Sequence, residues 1–117
     1  SFLHGIMAVV NQYKFYGVDD STSGAALTMF GASSPASTET YILKSIKVTS
    51  AGTPTVTVVN NSITAIKSAA LTANVTTELL TMPMVVEGGT NLTVQSSSSD
   101  SFDVAISYLN INKEIIS

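Results

Sequence analysis

The side chains that could carry acid–base or nucleophilic chemistry are few in this chain. Its 117 residues include one histidine, His4, no cysteine and no arginine. A serine hydrolase needs a histidine that accepts a proton from the nucleophile and passes it on. His4 lies in a segment that we expect to be an arm, and we interpret it as an exposed or interface residue.

The acidic residues offer the remaining route to catalysis. Glycoside hydrolysis uses two carboxyl groups at a set separation, one of which is kept protonated by burial. The four glutamates are Glu39, Glu78, Glu87 and Glu114. All four fall at predicted loops or strand ends, so the sequence predicts no catalytic residues and a protein that is not an enzyme.

Two acidic turns contain oxygen ligands of the kind that calcium prefers. They read Asp19-Asp20-Ser21 and Asp100-Ser101-Phe102-Asp103, and their carboxylates would suit Ca²⁺ if the loops brought them together. Neither turn has the pattern of an EF-hand loop. We interpret both as solvated turns, and we predict no metal site and no cofactor.

The composition excludes two classes of partner. Five lysines, no arginine and a net charge of −3 give no basic surface, so the sequence predicts no binding to nucleic acid. The longest apolar stretches, such as residues 5–10 and 82–86, are far shorter than the roughly 20 residues that cross a bilayer, so the sequence also predicts no membrane partner. With 44% apolar residues the chain can still build a core of its own.

From residue 41 onward, short runs rich in Val, Ile and Thr predict β-strands. Apolar and polar residues alternate in the strongest runs, as in strands with one buried face. The expected inward-facing residues include Ile46, Val48, Val56, Val58, Phe102, Val104, Ile106 and Tyr108. We expect residues 41–49 and 55–59 to form a hairpin, and Asn60-Asn61 to turn the chain into another strand at residues 63–67.

The spacing of these turns, roughly 8 to 14 residues, is typical of a β-sandwich or jelly roll. We therefore predict an all-β fold: a single antiparallel β-sandwich or jelly-roll-like domain over residues 41–112 with an extended N-terminal arm. Residues 1–40 are predicted to be arm and loop with one strand near residues 9–16. Residues 113–117 are predicted to be a short tail.

Aromatic residues in the N-terminal region are candidates for a partner interface. Large aromatic side chains outside the main strand pattern must bury their area somewhere, and they are enriched where proteins meet. An edge strand packed on the chain's own sandwich is the alternative interpretation. The predicted interface residues, including two at the C-terminal end, are Phe2, Tyr13, Phe15, Tyr16, Phe30, Ile115 and Ile116.

Residues 41–111 resemble a β-sandwich module of small virion structural proteins of tailed bacteriophages. The resemblance is carried by Lys44-Ser45-Ile46-Lys47-Val48, Glu78-Leu79-Leu80 followed by Pro83, Val85-Val86-Glu87-Gly88-Gly89 with Leu92 and Val94, and Asp103-Val104-Ala105-Ile106-Ser107-Tyr108-Leu109-Asn110-Ile111. Before the penultimate strand such modules often read glutamate-alanine-glycine-aspartate-serine-leucine. This chain instead reads Glu87-Gly88-Gly89-Thr90-Asn91-Leu92 and lacks the acidic turn residue.

The resemblance implies a structural role with no catalytic residues to carry over. It implies above all a capsid decoration (cement) protein on the phage capsid surface, which binds and stabilises the shell of the major capsid protein. Its partners would be the major capsid protein or other virion proteins and further copies of itself, with a trimer favoured. A tail, neck or fibre component is the alternative, and a glycan-binding module is a third possibility, although the chain lacks the tryptophan that best stacks on sugars.

Overall fold

The structure, a computed structural model, describes residues 6–116, with side-chain environments for residues 8–113. Nine strands follow one another along the chain: β1 (Ile6–Ser21), β2 (Leu27–Thr28), β3 (Glu39–Ser50), β4 (Thr55–Asn60), β5 (Ile63–Ala70), β6 (Thr77–Glu78), β7 (Met84–Val86), β8 (Leu92–Ser96) and β9 (Phe102–Ile116). They form two antiparallel sheets packed face to face. The predicted all-β sandwich is confirmed. No helix occurs within residues 6–116, and hence none that could cross a membrane.

The strand pairing is that of a jelly roll. β4 pairs with β5, β3 with β6 and β7, β2 with β8, and β1 with β9, so the chain is one long hairpin whose two arms run back along each other. Rolling this hairpin brings β3 beside β9 and β4 beside β8. The result is a five-stranded sheet of order β1-β9-β3-β6, with β7 also on β3, and a four-stranded sheet of order β2-β8-β4-β5.

The core lies between the sheets and is filled by alternate residues of the long strands. All eight residues predicted above to face inward are buried, because successive side chains of a strand point to opposite faces. The Asn61-Ser62 turn has positive φ at both residues (50° and 64°) and joins β4 to β5 in a tight hairpin. The turn predicted at Asn60-Asn61 therefore forms one residue later, and the strand predicted after it forms as β5.

The hairpin predicted between residues 41–49 and 55–59 is wrong. β3 belongs to the five-stranded sheet and β4 to the four-stranded sheet. The residues between them carry the chain from one sheet to the other, so the buried faces of the two strands meet across the core. Alternation identifies the buried face of each strand correctly but does not specify its neighbour.

Within the region predicted as arm and loop, β1 is a strand of the sandwich that contains the strand predicted at residues 9–16. The predicted tail is also wrong where it is described, because β9 continues to Ile116. β1 runs along β9 in one unbroken register from the pair Ile6–Ile116 to the pair Val18–Val104. The pairing of β3 with β9 ends at Glu39–Asn112, so β1 and β9 continue beyond β3 as a two-stranded ribbon. The described chain is accordingly long and narrow, with extents of 59 × 22 × 21 Å.

Candidate interaction surface

Two aromatic side chains on β1 are left in solvent. Tyr16 and Val18 pack against the core. Side chains alternate along a strand, so the odd-numbered residues Tyr13, Phe15 and Gly17 lie on the opposite, outward face. Tyr13 is 80% exposed and Phe15 is 68% exposed. The ring of Phe15 lies over Gly17, where an added Cβ would meet the ring carbons at 3.1 and 3.3 Å. Both rings thus occupy the outer face of the five-stranded sheet.

These rings belong to an apolar area that crosses the sheet. Tyr13 pairs with Leu109, Leu109 with Ile42, and Ile42 with Val85, which places one apolar side chain on each of four neighbouring strands. Paired residues lie on the same face of a sheet. The apolar residues on this face are Val9, Tyr13, Phe15, Ile42, Val85, Leu109 and Ile111, which we call the outer patch. Lys113 lies opposite Val9 on this face and borders the patch.

Tyr16 and Phe30, also predicted to contact a partner, pack within the chain. The ring of Phe30 lies 5.0 Å from Tyr16, 4.8 Å from Tyr41 and 4.9 Å from Tyr108, measured between centroids. Tyr41 and Tyr108 themselves lie 4.7 Å apart. Tilted and edge-on contacts at these distances are favourable for aromatic pairs. These four residues form an internal aromatic cluster at the end of the core nearest the ribbon.

The remaining predicted interface residues lie at the two ends of the chain. Phe2, like His4, is outside the described residues. The backbones of Ile115 and Ile116 pair with Met7 and Ile6 in the ribbon, and their side chains are outside the described part of the chain. Their role in an interface remains a prediction.

Two tyrosines of the aromatic cluster, Tyr41 and Tyr108, have pKa values above the ordinary value of 10.0. Burial raises the pKa of Tyr41, and the charge of Glu39 raises it further. Burial, Tyr41 and Glu39 likewise raise the pKa of Tyr108. Glu39 is engaged in local hydrogen bonds, since its carboxylate accepts from the Asn110 side chain at 2.8 Å and from the Ala36 N–H at 2.9 Å.

The two acidic turns do meet, and their carboxylates accept hydrogen bonds that tie β1 to β9. The backbone N–H of Asp20 donates to Asp103 Oδ1 at 2.6 Å, and Ser101 Oγ donates to Asp20 Oδ1 at 2.6 Å. Among residues 6–116, no group of three or more His, Cys, Asp and Glu side chains is placed to hold a metal ion.

Two open grooves lie where β5 faces the segment 79–90, each with a volume of about 280 Å³. One is apolar and includes Leu79, Leu80 and Met82. The other includes Asn61, Glu87 and Thr90, whose polar groups could bind hydroxyls. No aromatic ring lines the second groove, so it lacks the stacking surface expected of a sugar site.

The sequence did not assign five members of the outer patch to an interface: Val9, Ile42, Val85, Leu109 and Ile111. In β3 and β9 apolar residues occupy both alternating positions, and only the more regular set was assigned a role. The second set was a usable signal, because an apolar residue on the solvent face of a strand needs its own explanation.

No protein-family model matches the chain, and no curated protein matches it.

Proposed function

We propose that the chain is a non-enzymatic structural protein of a bacteriophage particle, a decoration protein that binds and stabilises the shell of the major capsid protein. The jelly-roll fold supports this proposal by analogy, since viral capsid domains are among its known uses. The resemblance of residues 41–111 to phage virion proteins supports it further, because those residues include most of β3, all of β4 to β8 and most of β9. On this proposal the protein resides on the capsid surface with other copies of itself.

The outer patch is the observation that carries the proposal. It is an apolar area on an open sheet face, in which Tyr13 and Phe15 alone expose roughly 300 Å² if each aromatic side chain offers about 200 Å². The largest apolar patch of a typical monomer measures about 300–600 Å² and often has a function. A flat apolar surface with aromatic residues suits contact with a protein better than binding of a small polar substrate.

The elongated shape favours the second candidate, a tail, neck or fibre component. The ribbon of β1 and β9 extends past β3, and the described chain is nearly three times longer than wide. A projecting two-stranded ribbon could join a ring or fibre as readily as a shell. The two candidates differ in copy number, since a shell carries hundreds of equivalent positions and a tail or neck carries a few dozen.

Quantitative mass spectrometry of purified particles of the phage that encodes the chain tests the proposal. Copies in the hundreds, in fixed ratio to the major capsid protein, are expected of a decoration protein. A few dozen copies would assign the chain to the tail or neck. Complete absence from the particles would refute both candidates.

Binding of variants to particles that lack the protein then tests the surface. Val85 and Val75 are the same residue type and each is 49% exposed, but only Val85 belongs to the outer patch. Val85→Lys is expected to lower cosedimentation with the particles by at least tenfold, and Val75→Lys to leave it unchanged. Equal binding by both variants would show that the outer patch does not face the shell.

A further inference from the structure

β1 forms one edge of the five-stranded sheet, and no described strand pairs with its outer side. β9 donates from the Lys113 N–H to the Thr38 carbonyl at 3.0 Å, and the Ser101 carbonyl just before β9 accepts from Ala51 at 3.0 Å. Both odd-numbered residues therefore direct their backbone groups toward the β3 side. Since these directions alternate along a strand, the even-numbered residues of β9 bond to β1.

The same alternation fixes the hydrogen-bonding direction of β1. Its even-numbered residues, such as Gln12 opposite Asn110, bond to β9. The odd-numbered residues Val9, Asn11, Tyr13, Phe15 and Gly17 direct their N–H and C=O groups away from the sheet, where no other strand of residues 6–116 lies. The residues with the exposed rings thus also carry the unpaired backbone groups.

The other three edges of the described sheets are protected against pairing. β2 has two residues, and β6 and β7 have two and three. The pairing of β5 with β4 is interrupted twice by register shifts, and Ser68 within β5 has a φ of 52°. Short or irregular edges are the usual defences against strand addition. β1 has neither defence from residue 6 to residue 18.

We propose that a second copy of this chain pairs with β1 in antiparallel fashion about a two-fold axis. The inference goes beyond the proposed docking of the outer patch on the shell, and it identifies a partner for the β1 edge. The regular part of β1 runs from residue 6 to residue 18, so an axis through Gln12 overlaps it completely with its copy. This overlap is far longer than the five or six residues of an average strand and forms roughly a dozen backbone hydrogen bonds.

The side chains agree with this register. Phe15 faces Val9 of the second copy, an aromatic with a β-branched residue, and the two-fold axis repeats this pair. Tyr13 faces Asn11. Lys14, the one charged residue between positions 8 and 18, faces Val10 of the copy. An axis through Lys14 would instead place two like charges opposite each other, which is unfavourable.

A second copy fits this edge better than a different protein. The edge carries no charge on its outward-directed residues to select a charged partner, and its pattern is complementary to itself when read in reverse. Two-fold dimers with self-complementary interfaces are the commonest soluble oligomers. Pairing would double the five-stranded sheet and place two outer patches side by side, so that each dimer docks on the shell through both.

Sedimentation equilibrium of the purified full chain across a dilution series tests the pairing. A species of twice the 12.2 kDa chain mass is expected, in contrast to the trimer that the resemblance implies. Asn11→Pro removes an N–H that points away from β9, so it is expected to yield a folded monomer with an unchanged circular dichroism spectrum. Asn11→Ala keeps the N–H and is expected to remain a dimer.

Cysteine trapping tests the register, because the native chain has no cysteine. At the axis the two copies of residue 12 form a non-hydrogen-bonded pair with Cα atoms about 4.5 Å apart, within the disulfide range. Gln12→Cys is expected to give a disulfide-linked dimer on mild oxidation. Lys14→Cys is the matched control on the same face and is expected to give at least tenfold less.

Each failure has its own meaning. A wild-type monomer or trimer, a dimer that survives Asn11→Pro, or a stronger crosslink at residue 14 than at residue 12 would overturn the edge pairing. If the monomer still binds the particles through Val85, the proposed function stands without this inference. A dimer with the predicted crosslink in a protein absent from particles would refute the proposed function and leave the pairing intact.

Discussion

Phe30 offers the sharpest test of the packing, because its ring contacts stabilise the fold whereas its backbone conformation is unfavourable for a residue with a side chain. The ring contacts Tyr16, Tyr41 and Tyr108, while its φ of +64° lies in the left-handed region. Truncation of a fully buried Phe to Ala costs about 3–5 kcal/mol. Phe30 is half-buried, so we expect Phe30→Ala to lower the free energy of unfolding by about 2–3 kcal/mol, scaled from that range.

Phe30→Gly removes the same ring but relieves the backbone. A residue with a Cβ pays about 1–2 kcal/mol in the left-handed region, whereas glycine loses about 0.5–1 kcal/mol through greater freedom in the unfolded chain. The glycine variant should therefore be the more stable of the two by about 0.5–1 kcal/mol. At an ordinary strand position the order would be reversed.

Urea unfolding followed by circular dichroism measures both differences, provided that the slope m is the same for all variants. Met82→Ala, at a side chain 72% exposed, is the control and should change stability by less than about 0.5 kcal/mol. A glycine variant less stable than the alanine variant would refute the backbone part of the reasoning. A Phe30→Ala protein of wild-type stability that no longer binds particles would show that Phe30 serves an interface instead.

Three further substitutions test the turns and the titrating groups. A Cβ on Gly88 would lie within 3 Å of three backbone carbonyl oxygens, so Gly88→Ala should cost about 1–3 kcal/mol in urea unfolding, whereas Gly24→Ala, whose nearest neighbour is 3.6 Å away, should be nearly neutral. Partial burial raises the pKa of Glu78, but hydrogen bonds from Ser45 and two backbone N–H groups outweigh it and hold the pKa below the ordinary value of 4.5. Wild-type stability should accordingly fall as the pH drops below about 4.5, and Glu78→Gln should flatten that acid limb in a thermal melt series; an unchanged limb would contradict the assignment. The pKa of Tyr108 is raised above 10.0, so stability should decline as the pH rises through that value, and Tyr108→Phe should weaken this alkaline decline.

Sequence patterns predicted the buried faces well because burial of a strand is a local property. Val104 and Ile106 follow a period of two, and that period determines which side of a strand meets the core. The turn after β4 was equally local, although it lies at Asn61-Ser62 and the prediction placed it at Asn60-Asn61, since a two-residue loop returns the chain beside itself. The prediction depended only on residues adjacent in sequence.

The choice of neighbouring strand depended on distant residues and was not predictable in the same way. The turn between Ser50 and Thr55 can either reverse the chain within a sheet or cross the roughly 10 Å between two sheets. The outcome is decided by β9, which pairs with β3 from more than fifty residues away. For the same reason Phe30 was assigned to an interface, since three tyrosines from other strands reach it only after the jelly roll has closed.

The alternation of β1 separates the stability of the chain from its assembly. Tyr16 and Val18 pack against the core, and the even-numbered residues bond to β9 through their backbones, while Tyr13, Phe15 and their odd-numbered neighbours direct both side chains and backbone groups outward. Substitution of Tyr16 or Val18 should therefore lower the free energy of unfolding, and substitution at an odd position should alter association with little effect on folding. A strand can serve both purposes only at a sheet edge, because an interior strand has its odd and even backbone groups bonded within the same chain. Its position at the edge is thus what allows one segment to complete a small core and still leave aromatic side chains and backbone groups exposed.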